Sequence, residues 1–293
     1  MDFGHILTAM VTPFNQEGLV DKDRTKELLD YLLAHGTDAI VVAGTTGESP
    51  TLTTNEKLEL FQLCVEYVDK KVPIIAGTGS NNTHSSIELT KKATDIGVDG
   101  VMLVAPYYNK PSQQGMYEHF KKIAEATPLP VMLYNVPGRT GVQIEADTTI
   151  ALSKVKNIVS IKEASGDLEQ MAAIITATDK DFLLYTGDDA NTLPAVAIGA
   201  HGVVSVASHV IGNEMKKMID LFKSGEVMDA ANLHRALLPT MKAMFAAPNP
   251  TCVKYALKFI GIDVGGVRLP LVPLSYEQQQ IIIQTLEQKA NPS

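Results

Sequence analysis

The sequence predicts an α/β chain: a (β/α)8, or TIM, barrel carrying a small C-terminal α-helical domain. Three observations carry that prediction. First, three segments resemble one another: HGTDAIVVAG (35–44), IGVDGVMLVAP (96–106) and IGAHGVVSVAS (198–208). Each has an early glycine where a helix should stop (Gly36, Gly97, Gly199) and then runs into a short apolar strand. Second, five further apolar runs of strand length bring the total to eight, at the ~25–30-residue spacing of barrel repeats. Third, these runs are apolar throughout, as parallel strands covered on both faces are.

The elements follow in order. ILTAMV (6–11) reads as the first strand. DKDRTKELLDYLLAH (21–35) reads as a helix, with Leu28, Leu29, Leu32 and Leu33 on one stripe and Asp21 as N-cap. The second strand lies in 35–44, and TNEKLELFQLCVEYVDK (54–70) is the next helix, capped at Thr54. PIIAG (73–77), 96–106, PVMLYN (130–135), IVSIK (158–162) and FLLYTG (182–187) supply strands three to seven. Residues 190–213 carry no charge and are long enough to span a membrane. Pro194, Gly199, Gly202 and Gly212 cut that run, and His201 and His209 add polar groups, so it reads as a buried helix, a glycine stop and the eighth strand. Strand signals cease near residue 224, and 226–246, 250–261 and 275–289 read as helices around a Pro/Gly linker at 261–274. The expected division is a barrel at 1–224 and a helical domain at 225–293. An open doubly wound sheet is the runner-up, but it usually has a glycine-rich turn after its first strand, and MVTPFNQEG is not one.

Composition narrows the function. The chain has 293 residues, 45% hydrophobic, with a net charge of −8, which disfavours nucleic acid and anionic membranes as partners. Cys64 and Cys252 are the only cysteines, so neither a disulfide framework nor a Cys-rich zinc site is expected, and a reducing cytoplasm fits. MDFGHILTAM lacks the positive n-region of a signal peptide. The seven histidines show no metal-binding spacing. Asp188 and Asp189 read better as helix-capping acids than as metal ligands, and no metal or cofactor is expected.

Barrel enzymes carry reacting groups at the C-terminal ends of their strands. Those ends here include Thr45 and Thr46 in AGTTGESPTL, Tyr108, Tyr134, Lys162, and Gly187 before two acids. Alternation along the sixth strand points Ser160 and Lys162 into the barrel, with Val159 and Ile161 toward the helices. An inward lysine is either an ion-pair partner or a nucleophile toward a carbonyl. Desolvation disfavours an ammonium and frees an amine near neutral pH. A nearby tyrosine can relay protons. The glycines around Thr45 and Thr46 suit a tight loop whose N–H groups face an anion, a carboxylate rather than a phosphate given the acids of GDDAN. Arg139, in YNVPGRTG, suits bidentate recognition of a carboxylate.

GTTGES, APYYNKPSQQG, YNVPGRTG and SIKEASGD stand in the order and approximate spacing of the dihydrodipicolinate synthases (4-hydroxy-tetrahydrodipicolinate synthases). The chain resembles that family over essentially its whole length. The family belongs to the pyruvate-dependent class I aldolases, with N-acetylneuraminate lyase. The resemblance implies condensation of pyruvate with L-aspartate 4-semialdehyde, toward diaminopimelate and lysine. It implies that Lys162 forms the Schiff base, that Thr45 and Thr46 bind the pyruvate carboxylate, and that Tyr134 relays protons. Thr46 would link Tyr134 to Tyr108, which comes from a neighbouring subunit. Arg139 would hold the second substrate's carboxylate, and Gly187 and Val204 would line the pyruvate pocket. A homotetramer built as a dimer of dimers is implied. The alternatives are another pyruvate aldolase, for N-acetylneuraminate or a 2-keto-3-deoxy sugar acid, or a non-catalytic barrel that binds a keto acid. Lysine-inhibited members carry two histidines and an acidic residue where this chain has Thr54, Lys57 and Ser85, so weak or no inhibition by lysine is expected.

Overall fold

The computed structural model describes residues 2–290. Its strands are β1 (Ile6–Ala9), β2 (Ala39–Val42), β3 (Ile74–Gly77), β4 (Gly100–Val104), β5 (Val131–Asn135), β6 (Ile158–Glu163), β7 (Leu183–Thr186) and β8 (Gly202–Ser205). They form a closed barrel in chain order. Every pair is parallel, and the barrel closes with Leu7 opposite Val204 and Thr8 opposite Ser205. The eight expected strands are all present, and the closed order excludes the open doubly wound sheet.

Near-continuous apolar strands make two cores here. Leu7, Val41, Ile75, Met132, Tyr185 and Val204 pack inside the barrel. Ile6, Ile40, Val42, Leu133 and Ile161 pack outward against the helices. The stripe read in 21–35 behaves as its spacing requires. In the helix Lys22–Ala34, Leu28, Leu29 and Leu32 are fully buried, each a gain of about 1.5–3 kcal/mol. Asp21 caps this helix by accepting from the N–H groups of Asp23 and Arg24. The next helix, Thr54–Val68, is capped one residue earlier than expected. Thr53 and Glu56 form a reciprocal capping box, so Thr54 is the first helical residue. The repeat glycines Gly36, Gly97 and Gly199 have φ of 84°, 91° and 108°, in the left-handed region that ends a helix cheaply only at glycine.

Strand β6 departs from simple alternation. Val131 pairs with Ile158 and Met132 with Ser160, so Val159 is an extra, bulged residue. Val159 therefore packs against the interior cluster, not toward the helices. Beyond the bulge the register recovers: Ile161 faces the helices, and Lys162 lies opposite the inward Tyr134.

Within 190–213 a helix (Thr192–Ala197), Gly199 and β8 follow as expected. The run then continues into an unforeseen helix, Ser208–Lys223. Among the described residues no helix is long and apolar enough to cross a membrane. The helices Val227–Ala243, Thr251–Phe259 and Tyr276–Ala290 follow among the described residues. Contacts from residues 249–268 reach back to the mouth of the barrel.

Candidate active site

Lys162 projects from the end of β6 with 5% of its surface exposed. Its Nζ lies 4.2 Å from the centre of the Tyr134 ring, on the neighbouring strand. A cation gains from that placement, yet no acidic group among the described residues lies within ion-pair distance of Nζ. The adjacent carboxylate is committed elsewhere. Glu163 accepts from Asn135 Nδ2 (2.9 and 3.1 Å), Ser165 N (2.8 Å) and Gln170 Nε2 (2.8 Å). The ion-pair reading of Lys162 therefore fails, and its amine faces a cavity of about 430 Å³.

Thr45, Thr46, Tyr134, Arg139, Lys162 and Gly187 all line this cavity. Gly187 is there because nothing larger fits. A Cβ at that position would sit 2.6 Å from Ala164 Cβ and 2.9 Å from Lys162 Cε. Arg139 lies in the short helix Pro137–Thr140. It is exposed and makes no ion pair among the described residues, so its guanidinium is free for an anion. Val204 does not line the cavity. It lies one strand period deeper, packed in the barrel interior, and Val206 forms the wall instead. Tyr108 also stays out of the cavity of its own chain: it is 89% exposed, with φ of 71°.

Asp188 caps the turn Asp189–Asn191 by accepting from Ala190 N, which fits the capping role read for it. Asp189 does something different. Buried, it accepts from Val206 N (3.1 Å) and Ala207 N (2.8 Å) and so fixes the Val206 wall. Burial pushes its carboxyl up to about 6.

The loop holding Thr45 and Thr46 has left-handed residues at both ends, Ala43 (φ 53°) and Glu48 (φ 55°). Non-glycine residues hold that conformation only when their surroundings over-determine it, and here the surroundings are specific. Thr12 Oγ1 donates to Gly47 O (2.6 Å). Asn249 Nδ2 donates to Thr46 Oγ1 (2.9 Å). Glu48 is buried, ion-paired to Lys254 (2.6 Å) and accepting from Arg268 N (2.9 Å). Lys254 also donates to Gly266 O (2.7 Å) and lies over the Phe14 ring. Burial pushes its ammonium down to about 8, against the pull of Glu48. Sequence reasoning missed Asn249, Lys254 and Arg268, because all three lie in the C-terminal segment, far along the chain from the loop they hold. The one faint signal is Lys254, a charge set between the apolar Val253 and Leu257 of its helix.

Among the described residues no group of three His, Cys, Asp or Glu side chains is placed to hold a metal. A closed parallel barrel, an unpaired lysine at a strand end under a tyrosine, and anion-receptive groups around it define a barrel of the Schiff-base-forming aldolase class. Residues 2–289 match the dihydrodipicolinate synthetase family, and the chain belongs to it. It is 62% identical over 288 residues to 4-hydroxy-tetrahydrodipicolinate synthase 2 of Halalkalibacterium halodurans, covering 98% of this chain and 99% of that one. A dihydrodipicolinate synthase structure from Bacillus anthracis superposes with a TM-score of 0.97 at 60% identity, over 98% of each chain. The Cyanidioschyzon merolae enzyme, solved with lysine bound, matches with a TM-score of 0.97 at 48% identity, again over 98% of each chain.

Proposed function

We propose that this chain condenses pyruvate with L-aspartate 4-semialdehyde, through a Schiff base on Lys162, to give 4-hydroxy-tetrahydrodipicolinate for diaminopimelate and lysine synthesis. The observation that carries the chemistry is the buried, unpaired Lys162 amine over Tyr134 in a cavity lined by Thr45, Thr46 and Arg139. The names of its close relatives support the substrates. In this reading the Lys162 amine adds to the keto carbon of pyruvate, and water leaves to give the imine. Loss of a methyl proton, handled by Tyr134, gives an enamine whose carbon attacks the aldehyde. The semialdehyde's own amino group then displaces Lys162 from the imine carbon and closes a six-membered ring. Thr45 and Thr46 hold the pyruvate carboxylate, Arg139 holds that of the semialdehyde, and Gly187 leaves room for the lysine stem. Tyr108 serves the site of a neighbouring subunit, in a cytoplasmic tetramer made of two tight dimers. Val204 supports the pocket from below.

The test is reduction with borohydride in the presence of pyruvate. One reduced pyruvyl group should appear on the peptide containing Lys162. Labelling of another lysine, or none, would overturn the mechanism.

A further inference from the structure

We propose that Asn249 is a positioning residue for this reaction, setting the direction in which the Thr46 hydroxyl donates its hydrogen. The proposal rests on the reading of Thr46 as a hydroxyl that serves the pyruvate carboxylate and Tyr134. A threonine hydroxyl has one hydrogen and two acceptor lone pairs. Which way the hydrogen points depends on the neighbours. Asn249 lies in the cavity wall and is 8% exposed. Its Nδ2 donates to Thr46 Oγ1 at 2.9 Å, and both groups are buried. That bond occupies a lone pair of Thr46 and leaves the hydrogen unspent, because Thr46 Oγ1 has no acceptor partner among the described residues. The hydrogen is then available to the cavity, where a carboxylate or the Tyr134 oxygen can accept it. A free hydroxyl would have to be turned and desolvated on each binding event. One already polarised from behind is preorganised.

The placement of Asn249 is itself fixed. Only Pro250 separates it from the helix Thr251–Phe259, whose Lys254 is paired with Glu48 in the same loop. Two residues of one C-terminal segment thus hold the Thr45 and Thr46 loop at two points. Glu48 fixes where the loop lies, and Asn249 fixes how its hydroxyl is oriented.

Asn249→Asp is the discriminating variant. It is nearly isosteric, but an ionised carboxylate accepts, so it would take the Thr46 hydrogen and reverse the polarity. Burial at this position raises a carboxyl's pKa toward neutrality, and once protonated it can donate again. The expected result is a pyruvate KM raised about tenfold at pH 8, with the gap to the unaltered protein closing as the pH falls toward 6. Asn249→Ala should raise KM about threefold without that pH dependence. In a Thr46→Val background, either substitution should cost less than twofold further, since the effect runs through Thr46. Borohydride trapping with pyruvate and thermal melts accompany each variant. Asn249→Asp within twofold of the unaltered protein across the pH range would overturn the proposal. So would losses that add fully to those of Thr46→Val, or that merely follow melting temperature. If Asn249→Asp fails to fold, the Asn249→Ala and Thr46→Val cycle decides by the same additivity criterion. Absence of trapping in the unaltered protein would instead overturn the Schiff-base reading, and this proposal with it.

Discussion

Replacing Gly187 by alanine tests how tightly Lys162 is held. The added methyl would meet Ala164 Cβ and Lys162 Cε inside contact distance. Overpacking of this kind costs about 1–3 kcal/mol, and the flexible lysine stem gives way more easily than the backbone beneath Ala164. A misplaced amine loses attack geometry, so kcat should fall about 10–100-fold. Steady-state kinetics beside a thermal melt should show the rate loss with a small stability loss; unchanged kcat would mean that the amine has slack. Lys162, Tyr134, Thr45, Thr46 and Arg139 were legible in the sequence because each stands at or just past the end of an apolar strand. Val206, not named in the sequence reading, joins the cavity wall above the interior Val204. Where a strand ends and its wall-forming loop begins depends on Asp189 holding the N–H groups of Val206 and Ala207, which no local pattern shows.

At the scale of elements, the loop after β2 is held by charge. Lys254→Met would leave the Glu48 carboxylate buried and unpaired, an expected loss of about 3–5 kcal/mol. Adding Glu48→Gln should recover a large part of it, because a neutral amide tolerates burial better than a stranded charge. Urea unfolding of the single and double variants measures both, and a double variant no more stable than Lys254→Met alone would refute the pairing argument. A second expectation concerns the start of the helix Thr54–Val68. Lys57 is half-buried there, and burial lowers the pKa of its ammonium, while Ser85, at the start of the helix Thr83–Ile96, is exposed and uncharged. A bound lysine would bring a further ammonium with no carboxylate from these positions. Initial rates at saturating pyruvate should therefore change little with millimolar L-lysine, and strong inhibition below that range would refute this. The strands and their order were readable from apolar runs and spacing alone. The bulge at Val159 was not, since a register shift is a property of two strands and a sequence scan sees one.

For the molecule as a whole, Arg268 ties the C-terminal segment to the barrel through Glu56, and its Nη1 also donates to Thr51 O at 2.7 Å. Arg268 beside it holds the Glu56 carboxyl down to about 2, from an ordinary value of 4.5. In the window between, the unfolded chain binds the extra proton. The contribution to stability is thus complete above about pH 4.5 and is lost as pH falls toward 2. It is on the order of 1–3 kcal/mol after allowance for solvent screening. The stability difference between the unaltered protein and Glu56→Gln, from urea melts, should shrink between pH 7 and pH 3; a constant difference would contradict the assignment. The hold of the C-terminal segment on the loop also has a consequence for synthesis. Asn249 follows Thr46 by 203 residues, and Arg268 follows Glu48 by 220. A ribosome adding about 5–20 residues per second needs roughly 10–40 s to cover that distance. The nascent chain therefore carries Thr46, and later Lys162, for that interval before the residues that hold the loop are made. Competence for chemistry therefore waits for residues that are made only after the last strand of the barrel has been polymerised.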